Sequence, residues 1–357
     1  MLYHAIKPLL FRLDAERAHD LITGLLRLVG DVPLARAVLQ AWFAYEDPQL
    51  SVSCAGLHLS NPVGLAAGFD KQGTLIAPMA ALGFGHVEVG TVTPRPQPGN
   101  DLPRMFRLPE DHAVINRLGF NSTGMSVVAR RLSTTKHRIP IGINIGKNRT
   151  TPLERSVEDY VATFVALVSL ADYVTVNISS PNTPGLRQLH ERTALETLLR
   201  ELMEYNQRLP HPRPLFLKVS PDETAAQLDD VVRVALDVGI TGFIACNTTL
   251  ARDGLCGQSR DETGGLSGRP LTVRARESIA YLYRSTAGRL PIIGVGGVAT
   301  AEDAYGHIGA GATLVQLYTG LVYEGPGCVQ ALKAGLVRLI RRDGLSSIQD
   351  AIGVKAF

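Results

Sequence analysis

After Asp47 the chain alternates short apolar, β-favouring runs with longer amphipathic ones, and this alternation limits what it can fold into more than any other feature. Eight strands are expected, at 62–69, 86–92, 139–145, 171–179, 215–220, 242–248, 291–297 and 314–319. Between them, helical patterns run over 156–170, 191–208, 223–238, 271–286 and 326–341. Continuous apolar strands separated by helices imply a parallel sheet covered on both faces. Eight such units suggest an α/β fold closed as a (β/α)8 TIM barrel. An open doubly wound sheet is the alternative, but no G-x-G-x-x-G follows the first strand. The connections at 94–121 and 249–270 are too long for ordinary turns and are expected to serve a site.

In a parallel barrel the chemistry gathers where strands end. The stretch A-D-Y-V-T-V-N-I-S-S-P-N-T-P-G-L-R, 171–187, starts as strand and is broken by Pro181, Pro184 and Gly185, leaving Asn177, Ser179, Ser180 and Asn182 at the transition. Alone, such a stretch could be a turn that satisfies its own backbone. The other strand ends supply Ala67, Gly68, Lys71, Thr91, Asn144, Lys218, Asn247, Thr248, Gly296, Gly297, Tyr318 and Thr319. Amides, hydroxyls and two lysines dominate this set, with no metal-ligand cluster and no carboxylate pair for hydrolysis. It suits a planar ligand with many acceptors. G-V-G-G at 294–297, followed by Tyr318, Thr319 and Gly320 at the next strand end, matches a barrel phosphate site, although Glu302 and Asp303 leave backbone N–H groups to hold the anion. The competing reading is a tight turn without ligand. Lys218 in L-F-L-K-V-S either faces the barrel interior, where it needs a partner, or snorkels from a strand edge. Lys71 opens a helix and could equally be exposed.

Residues 1–46 form a separate amphipathic extension ahead of a catalytic domain at 47–357. Leu21, Ile22, Leu25, Leu26 and Val29 follow helical spacing after Asp14 as N-cap, and Leu34, Ala37, Val38, Ala41 and Trp42 repeat it after Pro33. Two helices are expected, as a cap on the domain or as a pair lying in a membrane interface. Arg17, Arg27 and Arg36 are offset by Asp14, Glu16, Asp20 and Asp31, so membrane binding would be mainly apolar. Pro8, Arg12 and Asp14 interrupt the first apolar run, which argues against a signal peptide or a membrane span. A net charge of +3 with dispersed Lys and Arg argues against a nucleic-acid partner. Four cysteines without a C-x-x-C pair argue against zinc, iron–sulfur and a disulfide framework.

The segments N-P-V-G-L-A-A-G-F-D-K at 61–71, N-R-L-G-F-N at 116–121, G-I-N-I-G-K-N at 142–148, V-N-I-S-S-P-N-T-P-G-L-R at 176–187, N-T-T at 247–249, G-G-L-S-G-R-P-L at 264–271 and G-V-G-G-V at 294–298 resemble those of the dihydroorotate dehydrogenases, in order across nearly the whole chain. The resemblance implies an FMN-binding barrel that oxidises dihydroorotate to orotate in pyrimidine synthesis. Members of the soluble type carry a cysteine base where this chain has Ser180, so the resemblance is to the quinone-dependent class 2. It further implies that the extension forms a tunnel for ubiquinone or menaquinone, and that the protein is a monomer held peripherally at the cytoplasmic face of the inner membrane.

Residue by residue, the resemblance makes Ser180 the base. It assigns Lys71, Asn116, Arg117, Leu118, Gly119, Phe120, Asn177, Asn182, Asn247 and Thr248 to substrate. FMN is implied at Ala67, Gly68, Phe69, Asp70, Lys71, Thr91, Asn144, Asn177, Lys218, Cys246, Gly268, Gly297, Tyr318 and Thr319, with Cys246 standing where the family usually has threonine. His19, Arg107 and Tyr318 resemble tunnel-lining residues, although His19, beside Arg17 and Asp20, could also be a solvated surface histidine. A flavin barrel using fumarate or a nicotinamide is the nearest alternative. A non-catalytic binding protein is the more distant one, and an assembled set of Ser180, Lys71 and asparagines argues against it.

Overall fold

The computed structural model describes residues 2–135, 139–183 and 185–356. All eight expected strands form: β1 Val63–Leu65, β2 His86–Val92, β3 Ile141–Ile145, β4 Tyr173–Asn177, β5 Leu215–Lys218, β6 Gly242–Ala245, β7 Ile292–Val295 and β8 Leu314–Leu317. They pair in parallel and close into a barrel, with Val315, Gln316 and Leu317 of β8 registered against Val63, Gly64 and Leu65 of β1. That last pairing excludes the open sheet. Most strands end earlier than the apolar runs suggested, so Ala67–Phe69, Ser179, Asn247 and Gly297 fall in loops.

Inside the barrel a group of polar side chains is buried and hydrogen-bonded together. Glu88 on β2 accepts hydrogen bonds from Asn144 Nδ2 at 2.8 Å, Gln316 Nε2 at 3.1 Å and Tyr173 OH at 3.2 Å. Large side chains fit here because small ones face them: a Cβ on Gly64 would lie 2.1 Å from His86 Nε2, and one on Gly142 2.0 Å from Tyr173 Cζ. Burial pushes the His86 pKa down to about 3, so its ring is neutral at neutral pH.

The two long connections are not irregular. They supply Met105–Leu108, Ala113–Asn116 and Gly265–Gly268, which form one antiparallel sheet with Ala113–Asn116 in the middle. Met105–Leu108 and Ala113–Asn116 pair as a local hairpin, whereas Gly265–Gly268 joins them from about 150 residues away, a partner that no local pattern announces.

Before the barrel come three helices, α1 Leu2–Leu10, α2 Ala15–Asp31 and α3 Pro33–Phe43. The expected caps are present: Asp14 accepts from the N–H groups of Glu16 and Arg17, and Pro33 occupies the first turn of α3. Helix α1 was not anticipated, because Pro8 read as a break yet sits inside the helix. Lys7 Nζ donates to the Tyr323 carbonyl and Tyr3 OH to that of Val322, tying α1 to the helix that follows β8. Among the described residues no helix is long and apolar enough to cross a membrane.

Candidate active site

One pocket opens at the C-terminal ends of the strands and is roofed by the three-stranded sheet. Of the residues singled out in the sequence, Ala67, Gly68, Lys71, Thr91, Asn116, Leu118, Gly119, Phe120, Asn177, Ser180, Asn182, Lys218, Cys246, Asn247, Thr248, Gly268, Gly297, Tyr318 and Thr319 line it. Each strand end delivers its side chain from rigid backbone, and a chain of hydrogen bonds orients the amides. Asn144, fixed below by Glu88, accepts from Thr91 Oγ1 at 2.6 Å and from Asn177 Nδ2 at 3.1 Å. Asn177 Oδ1 in turn accepts from Asn247 Nδ2 at 3.2 Å. Asn182 donates to Asn116 Oδ1 at 3.3 Å, joining the loop after β4 to the roof. These bonds settle which end of each amide is donor and which acceptor, so a ligand meets a preset pattern.

Ser180 is buried, and its Oγ accepts from the Asn182 N–H at 3.3 Å. The loop also buries Thr183, whose hydroxyl has no partner among the described residues. Gly185 takes the left-handed conformation, φ +70°, as a hinge would require, whereas Pro184 lies outside the described residues. Pro181 rests against Gly265 of the roof, where an added Cβ would approach its ring to 3.1 Å.

Three polar groups are left ready for a ligand. Lys218 is buried at the end of β5 without a carboxylate or hydrogen-bond acceptor among the described residues. Tyr318 OH is buried and unpartnered, and burial raises its pKa well above the usual phenol range, so it remains a donor. Lys71 has its pKa lowered by burial, with Glu16 and Asp20 opposing that shift and Arg104 adding to it. Opposite, Gly296 and Gly297 have φ of +125° and +73°, and a Cβ on Gly297 would stand 2.0 Å from Thr272 Oγ1. Backbone alone fits there, beside the start of the helix Thr319–Glu324. A long ligand with an anionic end and a planar, acceptor-rich end matches these groups.

Several expected residues do something else. The carboxylate of Asp70 accepts from the N–H groups of Gln72, Thr74 and Leu75 and so folds the turn that presents Lys71. Arg117 sends its guanidinium to Glu262 at 2.7 Å and over the Phe106 ring. Asn144 sits behind the wall it orients. His19 is not solvated: it packs edge-on against Phe69, with centroids 4.9 Å apart, and parallel to Tyr318 at 6.3 Å. Burial and then Lys71 push its pKa down to about 4. Arg107 holds the carbonyls of Leu10 and Leu13 and covers the Phe11 ring, so its partners among the described residues are in the extension and not His19 or Tyr318. Cys246 points its thiol at the Val295 carbonyl, 3.6 Å away, and burial raises its pKa, keeping it a neutral donor. Glu88, Gln316 and Ser267 were missed. A carboxylate in the apolar run His86–Val92 and an amide in Leu314–Leu317 were the available signals. Among the described residues no cluster of His, Cys, Asp and Glu could hold a metal.

The chain matches the family described as dihydroorotate dehydrogenase over residues 49–340. It is 64% identical over 354 residues to a Roseiflexus protein named dihydroorotate dehydrogenase (quinone), covering 99% of this chain and 98% of that one. A protein of the same name from Anaeromyxobacter dehalogenans is 51% identical over 357 residues, covering 99% and 97%. Among solved structures, the ligand-free DHODH of Eimeria tenella superposes with a TM-score of 0.88 at 39% identity, covering 96% of this chain and 99% of that one. The same enzyme in complex with ferulenol gives 0.86 at 37%, covering 96% and 95%. With both the barrel and the extension matched along their length, this chain belongs to the quinone-linked class of the dihydroorotate dehydrogenase family.

Proposed function

We propose that this protein oxidises (S)-dihydroorotate to orotate in pyrimidine biosynthesis and passes the electrons through FMN to a membrane quinone. The observation that carries the reading is the convergence of Ser180, Lys71 and four asparagines, Asn116, Asn177, Asn182 and Asn247, on one pocket, in a chain whose full-length relatives bear the quinone dehydrogenase name. FMN fits the groups left open: the glycine backbone at 296–297 and Thr319 for its phosphate, and Lys218 for the ring. When bound, FMN supplies the two-electron acceptor for the hydride.

The remaining chemistry belongs to the chain. The asparagines pair the amide edges of the substrate ring, Lys71 meets its carboxylate, and Thr248 with the 116–120 segment closes the clamp. Ser180 Oγ takes the proton from the ring carbon next to the one that loses hydride. A serine is a weak base, and a closed, dry loop is what lets it act. Lys218 provides a fixed positive charge where negative charge develops.

Residues 1–46 act as a quinone-binding extension on a catalytic domain at 47–357. The apolar residues left exposed on all three helices support peripheral contact with a membrane; the protein acts as a monomer at the cytoplasmic face of the inner membrane, with ubiquinone or menaquinone reaching the flavin past His19, Phe69 and Tyr318. Anaerobic absorbance of the purified protein tests the whole sequence. Dihydroorotate should bleach the flavin band and a soluble quinone analogue restore it. Restoration only by fumarate or a nicotinamide would move the protein to another class, and no bleaching would remove the activity.

A further inference from the structure

The extension and the substrate pocket are joined by a continuous run of hydrogen bonds. Glu16, in the first turn of α2, holds Arg104 of the roof in a two-pronged ion pair, with Nε to Oε2 at 2.9 Å and Nη2 to Oε1 at 2.7 Å. The side chains are only 11% and 13% exposed, so the pair is shielded from water and salt. The third nitrogen of Arg104, Nη1, holds the Pro98 carbonyl at 2.6 Å and that of Asn100 at 2.8 Å, which fixes the turn carrying Asn100. From there Asn100 Nδ2 reaches the Arg117 carbonyl at 2.9 Å and the Asn182 carbonyl at 3.1 Å. Gly119 lies against the same amide, where a Cβ would be 2.6 Å from Asn100 Cγ. Both walls of the pocket, the 116–120 segment and the loop that carries Ser180 and Asn182, are therefore referred to one asparagine, and that asparagine is referred to α2.

We propose that Glu16 is a positioning residue for the substrate pocket: through Arg104 and Asn100 it sets the spacing between the roof and the Ser180 loop. The N-terminal helices thereby shape the substrate site as well as the acceptor's path. Glu16 touches neither substrate nor cofactor and acts through these two residues. Its carboxylate also faces Lys71 closely enough to oppose the loss of that lysine's proton on burial. The inference rests on the substrate reading above and extends it to a helix that the reading assigns to the quinone.

The test is isothermal titration of orotate into the full-length, FMN-loaded protein as wild type, Glu16→Ala, Asn100→Ala and the double variant, with thermal midpoints measured alongside. Each single substitution is expected to weaken orotate binding about tenfold, and the double variant no more than the weaker single one, because both break the same connection. Arg17→Ala, on the exposed face of the same turn, should leave the affinity unchanged. Additive losses, or a loss in Glu16→Ala that tracks only a lowered thermal midpoint, would overturn the proposal. Should Glu16→Ala fail to fold, Glu16→Gln keeps the shape while removing the charge, and a loss of at least threefold is expected of it. An unchanged affinity in Glu16→Gln would overturn the relay even where wild type binds orotate normally. No orotate binding by wild type would instead overturn the substrate reading, and the relay with it.

Discussion

The barrel mouth buries polar groups and pairs most of them, leaving Tyr318 OH and Lys218 open, whereas the N-terminal helices leave apolar groups exposed. At the mouth, Asn144, Asn177, Thr91 and Glu88 are almost wholly buried and bonded to one another. On the helices and in the turns between them, Ile6, Leu9, Leu13, Leu21, Leu25, Leu28, Val32, Leu34, Val38 and Trp42 account for ten of the fifteen large apolar side chains exposed among the described residues. Buried polar groups are costly unless paired, so their survival marks a place where a ligand is read by hydrogen bonds. Exposed apolar groups lose nothing in stability if they are removed, so their clustering marks a surface completed by something else. The two regions meet at His19, Phe69 and Tyr318, a contact between an apolar surface and a polar pocket.

The difference can be broken at four points. Ser180→Ala should keep bound flavin and lose on the order of a hundredfold or more of its reduction by dihydroorotate, measured by anaerobic stopped flow; a near-normal rate would remove the serine from the base role. Glu88→Leu leaves three buried donors without their acceptor and should cost about 3 kcal/mol in denaturant unfolding. Were stability unchanged, the polar group of the barrel would be dispensable.

Leu34 and Trp42 are 76% and 68% exposed, so replacing both with glutamate should leave stability and flavin reduction alone. Binding to anionic or neutral vesicles should fall by at least about tenfold, from the loss of apolar contact. Equal binding by the variant would mean that α3 does not face the lipid. The smallest effect concerns His19, whose pKa burial lowers from the usual 6.5 to about 4. Between those values the unfolded chain binds the extra proton, so stability falls as pH drops from about 6.5 to about 4 and levels off below. His19→Gln should flatten that part of the profile by on the order of 2 kcal/mol, read from unfolding midpoints across pH. An identical profile would place the acid sensitivity elsewhere, in His86 or His307, which burial also holds neutral.

Much of this was legible in the chain because it is local. Period-two and continuous apolar runs mark strands whatever they pair with, and Asp14 and Pro33 announce helix starts from within one turn. The strand-end asparagines, Ser180 and the two lysines stand out because amides and charges beside apolar strands are expensive without a purpose. Other features were illegible for equally physical reasons. Helix α1 was hidden by Pro8, since the loss of one hydrogen bond in a short helix is offset by contacts to Val322 and Tyr323 that lie more than 300 residues away. Asp70 and Arg117 look like ligand groups in a motif, yet their side chains are claimed by neighbouring backbone and by Glu262.

Sequence alone determined the eight strands, the amphipathic extension and the residue types at the barrel mouth, because periodicity and residue chemistry act over a few residues at a time. Only the tertiary structure decided that β8 closes on β1, that two long connections join as one roof, and that Glu16 reaches the substrate pocket through Arg104 and Asn100. Except for the Arg104–Asn100 turn, those contacts join residues tens to hundreds of positions apart, and which partners meet is set by the packing of the whole chain, which no local pattern records.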